Sequence, residues 1–368
     1  MQIERHAIFW TGALLLFAAL LWLLSGVLMP FAAGMALAYL LDPLADRLQR
    51  LGLGRLTASL LILALCLVLF IVMLVAVVPL LAHQLGGFVE KLPSYISRLQ
   101  ELARTEGGAL ADRLGFDIFE KLGLGGSTSP PGDISRSVGD LVTKAGQFAA
   151  TFIGSLWSGG QALLGIASLL VITPVVAFYM LVDWDKMISA IDSWVPVNQQ
   201  ATVRELAIDI NTAIAGFLRG QSLVCLFLGL WYGMGLSLIG LNFGLLIGIT
   251  GGILSFIPYV GSLTALVVAA AVAIAQGWPS FWLLTMAMIV VGIGQFLEGN
   301  ILTPRLVGQS VGLHPVWLMF ALIAFGYLFG FTGLIIAVPV AAAIGVLARF
   351  ALRRYLQSPY YQGKDSAA

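Results

Sequence analysis

Apolar residues in this chain gather into long uninterrupted runs, and polar residues gather into the gaps between them. The runs are Ala7 to Leu24, Val27 to Leu41, Leu56 to Leu81, Thr151 to Val182, Ser222 to Leu241, Phe243 to Ile257, Leu263 to Ala275, Phe281 to Phe296 and Val316 to Leu347. A helix that crosses a bilayer needs about 20 apolar residues, so the pattern predicts about eight spans. The shorter or interrupted runs carry Pro258 and the segment Phe329 to Gly333 near their middles, which predicts broken, re-entrant hairpins. The predicted fold is therefore all-α and integral to the membrane: a polytopic helical bundle with two such hairpins.

His83 to Gln147 has a different texture, with seven Lys/Arg and eight Asp/Glu. Leu85, Phe88, Val89, Leu92, Tyr95, Ile96, Leu99 and Leu102 recur at helical spacing there, so the segment opens with an amphipathic helix that stops near Gly107-Gly108. Gly123 to Asp133 reads as loop from its Gly, Ser and Pro, and a helix restarts at Ile134. Val203 to Phe217 is a second amphipathic piece, suited either to the membrane interface or to packing on the bundle. The resulting division is 1–82 membrane helices, 83–147 extracytoplasmic excursion, 148–202 a long span and connector, 203–354 a transport bundle, and 355–368 a tail.

Composition confirms the class. Hydrophobic residues make up 60% of the 368 and charged residues 10%, where soluble proteins carry roughly 25% charged. A formal net charge of +1 gives no basic stripe for nucleic acid. Arg47, Arg50 and Arg55 follow the first two runs, and Arg349, Arg353 and Arg354 follow the last. By the positive-inside rule both termini are cytoplasmic and the excursion is external. Cys66 and Cys225 fall inside apolar runs and read as small buried hydrophobes.

Few residues offer chemistry. His6, His83 and His314 are too scattered for a metal motif, and neither a nucleophile elbow nor a Walker loop occurs, so the chain reads as a non-enzyme without cofactor or metal. Gly244, Gly248 and Gly252 recur every four residues, which suits close helix packing. Pro258 deprives the preceding turn of a donor, so carbonyls near Ser255 and Phe256 must face protein, water or solute; Tyr259 and Gly261 follow at the same break. Gln295 and Glu298 close an otherwise apolar run, where a carboxylate costs about 2.5 to 3.5 kcal/mol at a helix centre and less near its end. Glu298 is thus a candidate for ion coupling or a solvated surface charge, with Asn300 and Arg305 as polar neighbours. Asp209 and Gln221 are further polar candidates, and Arg219 is a local charge partner.

Several motifs together resemble the autoinducer-2 exporter family of bacterial membrane proteins. They are FIPYVG at Phe256 to Gly261, Gly220-Gln221, EGNILTPRLVGQSVGLHP from Glu298 to Pro315, FGFTGLIIAVPVAA from Phe329 to Ala342, and TPVVAFYMLVD from Thr173 to Asp183. The resemblance covers almost the whole chain and implies secondary transport in the inner membrane. It implies either export of a small polar signal such as autoinducer-2 or sodium/proton antiport, by a homo-oligomer that follows a pentameric pattern. A non-transporting scaffold that uses the excursion to hold a partner is the reading from another class.

Overall fold

A computed structural model describes residues 20, 24–105, 160–307, 312–358 and 361. The apolar run Ala7 to Leu24, the helix stop at Gly107-Gly108, the loop Gly123 to Asp133 and the helix restart at Ile134 lie outside the described residues, apart from Leu20 and Leu24. The elements are α1 (Ser25–Arg50), α2 (Arg55–Thr105), α3 (Gly160–Trp194), α4 (Gln200–Leu238), α5 (Gly244–Leu254), α6 (Val260–Gly277), α7 (Trp282–Leu297), a π-helix (Glu298–Val307) and α8 (Pro315–Leu356). No strand occurs among the described residues. Six helices there are long and apolar enough to cross a membrane, and α5 is a shorter apolar helix. With backbone groups bonded within each helix, this all-α architecture suits a bilayer, where an unpaired amide has no water to turn to.

The sequence pattern misplaces several boundaries. The basic stretch expected as a loop is helical: Arg47 and Arg50 form the last turn of α1, where cations complement the helix dipole, and Arg55 opens α2. The amphipathic opening of the excursion is no separate helix but the continuation of the span, so α2 runs for 51 residues. Pro79 and Pro93 lie inside it. Likewise Val203 to Phe217 is continuous with the next span in α4, and its apolar face is packed: Leu206, Ile210 and Ala213 meet Ala342 and Val346 of α8. Packing on the bundle, not lying in the interface plane, is its role.

The chain divides into two compact units. The first comprises Met1–Ile71, Gly165–Val224 and Glu298–Ala368. Its core joins α1, α2 and α3 through Ala38, Ala45, Ile62, Ala177 and Leu181. Alanines on this seam let helices approach closely, and Gly34 lies directly on Val176. Arg55 ties the same helices at one end: its guanidinium donates to Asp42 at 2.7 Å, Asp46 at 2.8 Å, Gln49 at 3.0 Å and the carbonyl of Leu181 at 2.6 Å.

The turn between α3 and α4 carries a two-pronged ion pair in which Arg204 donates to both carboxylate oxygens of Asp192, at 2.8 and 2.6 Å. The hydrogen bonds from Arg204 hold the Asp192 carboxyl below its ordinary value of 3.8. A carboxyl lowered in the folded state adds stability above its unfolded pKa and loses it as pH falls through the folded one. The expected result is that Asp192→Asn melts slightly below the wild type at neutral pH, and that the gap closes in acid below the ordinary value. Melting curves across pH check this, and a gap that widens in acid would contradict the assignment.

The second unit comprises Val72–Leu164 and Cys225–Leu297. Within it, α5 lies on α4 backbone to backbone. A β-carbon on Gly244 would strike Leu236 and Ser237, one on Gly248 would strike Gly233, and one on Gly252 would strike Gly229. The four-residue glycine spacing is therefore a packing seam. The second half of α2 clamps the turn that leads into α5. Gln84 accepts from the Leu246 amide at 3.0 Å, Tyr95 accepts from Asn242 at 3.1 Å, and Phe88 and Tyr95 set their rings edge-on against Phe243. Phe243 itself is left-handed, with φ 61°.

Candidate functional site

Two helical hairpins carry the expected breaks, one in each unit. In the first, α5 ends at Leu254 and α6 begins at Val260, and Tyr259 at the junction has φ 69°. The left-handed region is costly for an L residue with a large side chain, so Tyr259 is held there by its surroundings. Gly261 supplies the closure: a β-carbon there would collide with the Ser255 amide and the Gly251 carbonyl across the turn. Pro258 has no N–H for the Leu254 carbonyl, which instead accepts from the Ile257 amide at 3.0 Å. Ser255 is buried and donates to the Gly251 carbonyl at 2.8 Å. Tyr259 is 54% exposed and presents a hydroxyl and a ring at the apex.

The second hairpin lies inside α8. Gly330, with φ 60° and ψ −140°, interrupts the helix, and a β-carbon on Gly333 would strike the Phe325 carbonyl. Residues eight apart in a straight helix are separated by about 12 Å, so that contact requires the chain to double back. The reversal falls within Phe329 to Gly333, where the sequence pattern puts it. Each hairpin carries a G-x-T-G, but in a different place. Gly248 to Gly251 sits within an arm of the first hairpin, while Gly330 to Gly333 forms the turn of the second.

Glu298, Asn300 and Arg305 occupy the π-helix that continues α7. Sequence spacing did not show this. π-helical turns are rare and frequent at functional sites, and their i→i+5 bonding draws Asn300 and Arg305 toward one face. In an α-helix the same pair would sit roughly 140° apart. Glu298 is half-buried, whereas Asn300 and Arg305 are exposed. In the first unit the end of this segment meets the Gly220-Gln221 motif: Gly220 abuts the backbone of Leu306 and Val307, and Gln221 beside it is buried. Asp209 lies exposed further back on α4. Gln295 belongs to the second unit, where its amide donates to the Tyr232 hydroxyl at 3.4 Å, and the fully buried Tyr232 ring lies on Gly294. The expected path residues thus fall into two sets: Pro258, Tyr259, Gly261 and Gln295 in one unit, and Gln221, Glu298, Asn300, Arg305 and Asp209 in the other.

A group the sequence pattern did not assemble lies within the first unit. Tyr39 and Asp42 of α1, Trp184 of α3, and Asn211 and Arg219 of α4 line a cavity of about 60 Å³, with Met35 and Met180 among its apolar walls. Tyr39 and Trp184 pack edge to face, with ring centroids 5.9 Å apart. Arg219 donates through Nε to the Tyr39 carbonyl at 3.1 Å, and Asp42 is paired with Arg55 at its side. Three residues of this group, Asp42, Asn211 and Arg219, are polar in the sequence, but they lie far apart along it. Tyr39 and Trp184 give no such signal, because each reads as an aromatic at the edge of an apolar run. Among the described residues no group of three or more His, Cys, Asp or Glu is placed to hold a metal ion.

Residues 12–353 match the AI-2E family transporter model. A relative from Bacillus subtilis (strain 168), provisionally named transport protein YrrI, is 30% identical over 336 residues, covering 89% of this chain and 87% of its own length. Another from Escherichia coli (strain K12), provisionally named permease PerM, is 27% identical over 327 residues, covering 88% of this chain and 87% of its own. A third, also from Bacillus subtilis (strain 168) and provisionally named transport protein YueF, is 26% identical over 324 residues, covering 87% of this chain and 83% of its own.

Proposed function

This chain belongs to the AI-2E transporter family of multi-pass membrane proteins, and on that premise we propose that it is a secondary transporter exporting a small polar solute such as autoinducer-2. The observation that carries the reading is the pair of helical hairpins broken at left-handed residues, Tyr259 and Gly330. Discontinuous helices of this kind often line solute sites in secondary transporters, since irregular backbone at membrane depth is tolerated only where it is buried in protein or lines a cavity.

In this reading 203–354 is the transport bundle. Pro258, Tyr259, Gly261 and Gln295 are the path residues of the second unit, and Gln221, Glu298, Asn300 and Arg305 those of the first, with Tyr259, Glu298 and Asn300 as the polar contacts. Glu298 is the coupling group, and one charge crossing 100 mV supplies about 2.3 kcal/mol, roughly a fifty-fold gradient. The family premise also supports a homo-oligomer on a pentameric pattern, seated in the bacterial inner membrane with both termini cytoplasmic.

Flux through purified protein in proteoliposomes tests this. The expected result is movement of autoinducer-2 that depends on pH in the wild type and loses that dependence in Glu298→Gln. An unchanged pH profile in that variant would remove Glu298 from the coupling role. Sodium-linked proton flux without any organic solute would move the assignment to antiport, with Asp209 or Glu298 supplying oxygen ligands to sodium.

A further inference from the structure

The cavity between α1, α3 and α4 shares no residue with the hairpin path, and its chemistry is unlike that of the hairpins. We propose that it is a binding site for a small zwitterion, an ammonium and a carboxylate one or two carbons apart. The first ground is charge. A carboxylate, Asp42, and a guanidinium, Arg219, line the same small space, yet each is committed elsewhere on one side only. Among the described residues, Asp42 gives Oδ1 to Arg55, which leaves Oδ2, and Arg219 gives Nε to the Tyr39 carbonyl, which leaves its two terminal nitrogens.

The second ground is balance. Asp42 and Asp46 on one side and Arg55 and Arg219 on the other carry equal and opposite formal charge. A simple cation or anion meets no excess of the opposite sign there. A molecule with both charges meets a partner for each. The aromatic wall fits the same ligand, since an ammonium is drawn to aromatic rings and Trp184 and Tyr39 line the space. Asn211 adds one donor group and one acceptor. A space of about 60 Å³ suits a solute of a few non-hydrogen atoms.

The geometry assigns the solute carboxylate to the terminal nitrogens of Arg219, and its ammonium to Asp42 Oδ2 beside the Trp184 ring. As a step of transport the site rests on the transporter reading; its occupancy does not, so the test reads binding and not flux. Radiolabelled glycine is the probe, equilibrated by dialysis with the full-length protein in detergent. The expected result is saturable glycine binding that weakens about tenfold or more in Asp42→Asn and in Arg219→Gln, the loss of one charged hydrogen-bonding partner each. Acetate and methylammonium, each carrying half of the zwitterion, should compete only weakly.

Arg219→Gln also frees the Tyr39 carbonyl, so melting curves accompany both variants, and Asn211→Ala, which removes a neutral polar group from an exposed position of the lining, provides a third with a smaller expected loss. Absence of saturable glycine binding to the folded wild type would overturn the proposal. So would equal competition by acetate, by methylammonium or by neutral erythritol, or unchanged glycine binding in variants that melt like the wild type.

Discussion

Gly248→Val is expected to lower the stability of the protein by about 3 kcal/mol or more, at the upper end of what inserting extra atoms into a packed interior costs. The reason is what the new side chain would meet. At Gly248 a β-carbon falls on the amide nitrogen and α-carbon of Gly233 and on the carbonyl carbon of Tyr232. Backbone atoms cannot rotate aside as the end of a flexible side chain can, so α5 would have to lift off α4. Gly244 and Gly252 hold the same seam above and below, so a local shift at Gly248 would spread along it. Gly292→Val is the matched control, since nothing lies within 4 Å of a β-carbon at that position. Thermal melts of both variants in detergent decide the matter. Equal melting temperatures for Gly248→Val and Gly292→Val would show that the seam is not close-packed.

Arg55→Leu is expected to cost about 2 to 3 kcal/mol, through lost charge-assisted hydrogen bonds and two aspartates left without their partner. The Arg55 side chain is only 18% exposed, while Asp42 and Asp46 are 39% and 47% exposed, and that access to water keeps the figure below the cost of a fully buried broken pair. Arg55→Lys is expected to recover little. A lysine ammonium is a single point charge, and it cannot reach two aspartates on α1 and the Leu181 carbonyl on α3 at once, as the planar fork does. Melting temperatures of the two variants check this, and full recovery by lysine would reduce the network to simple charge neutralisation.

Much of the architecture is legible in the chain because bilayer chemistry is severe. An apolar run of some twenty residues has few alternatives to a helix, and Gly and Pro inside such runs mark where the helix cannot continue. The breaks at Pro258-Tyr259 and at Phe329 to Gly333 follow from this, as does the close packing expected of Gly244, Gly248 and Gly252. Helix ends were harder. Nothing local stops α2 at Leu81, because the amphipathic residues beyond it keep the helical period and Pro79 is accommodated within the helix. The continuation is held by contacts that the sequence does not display, from Gln84, Phe88 and Tyr95 to residues about 150 positions away.

From composition, periodicity and the placement of Gly and Pro alone, the class of the protein, its hairpins and the membership implied by its motifs could be read, since each depends on residues near one another in the chain. The π-helical register of Glu298 to Val307 and the cavity around Asp42 and Arg219 could not. The register differs from an α-helix by a small change in winding that no composition specifies. The cavity draws on positions 35 to 42, 180 to 184 and 211 to 219, whose charges become neighbours only once α1, α3 and α4 are packed. Hydrophobic patterning acts through local segments, whereas the pairing of charges acts through space, and only folding brings those segments together.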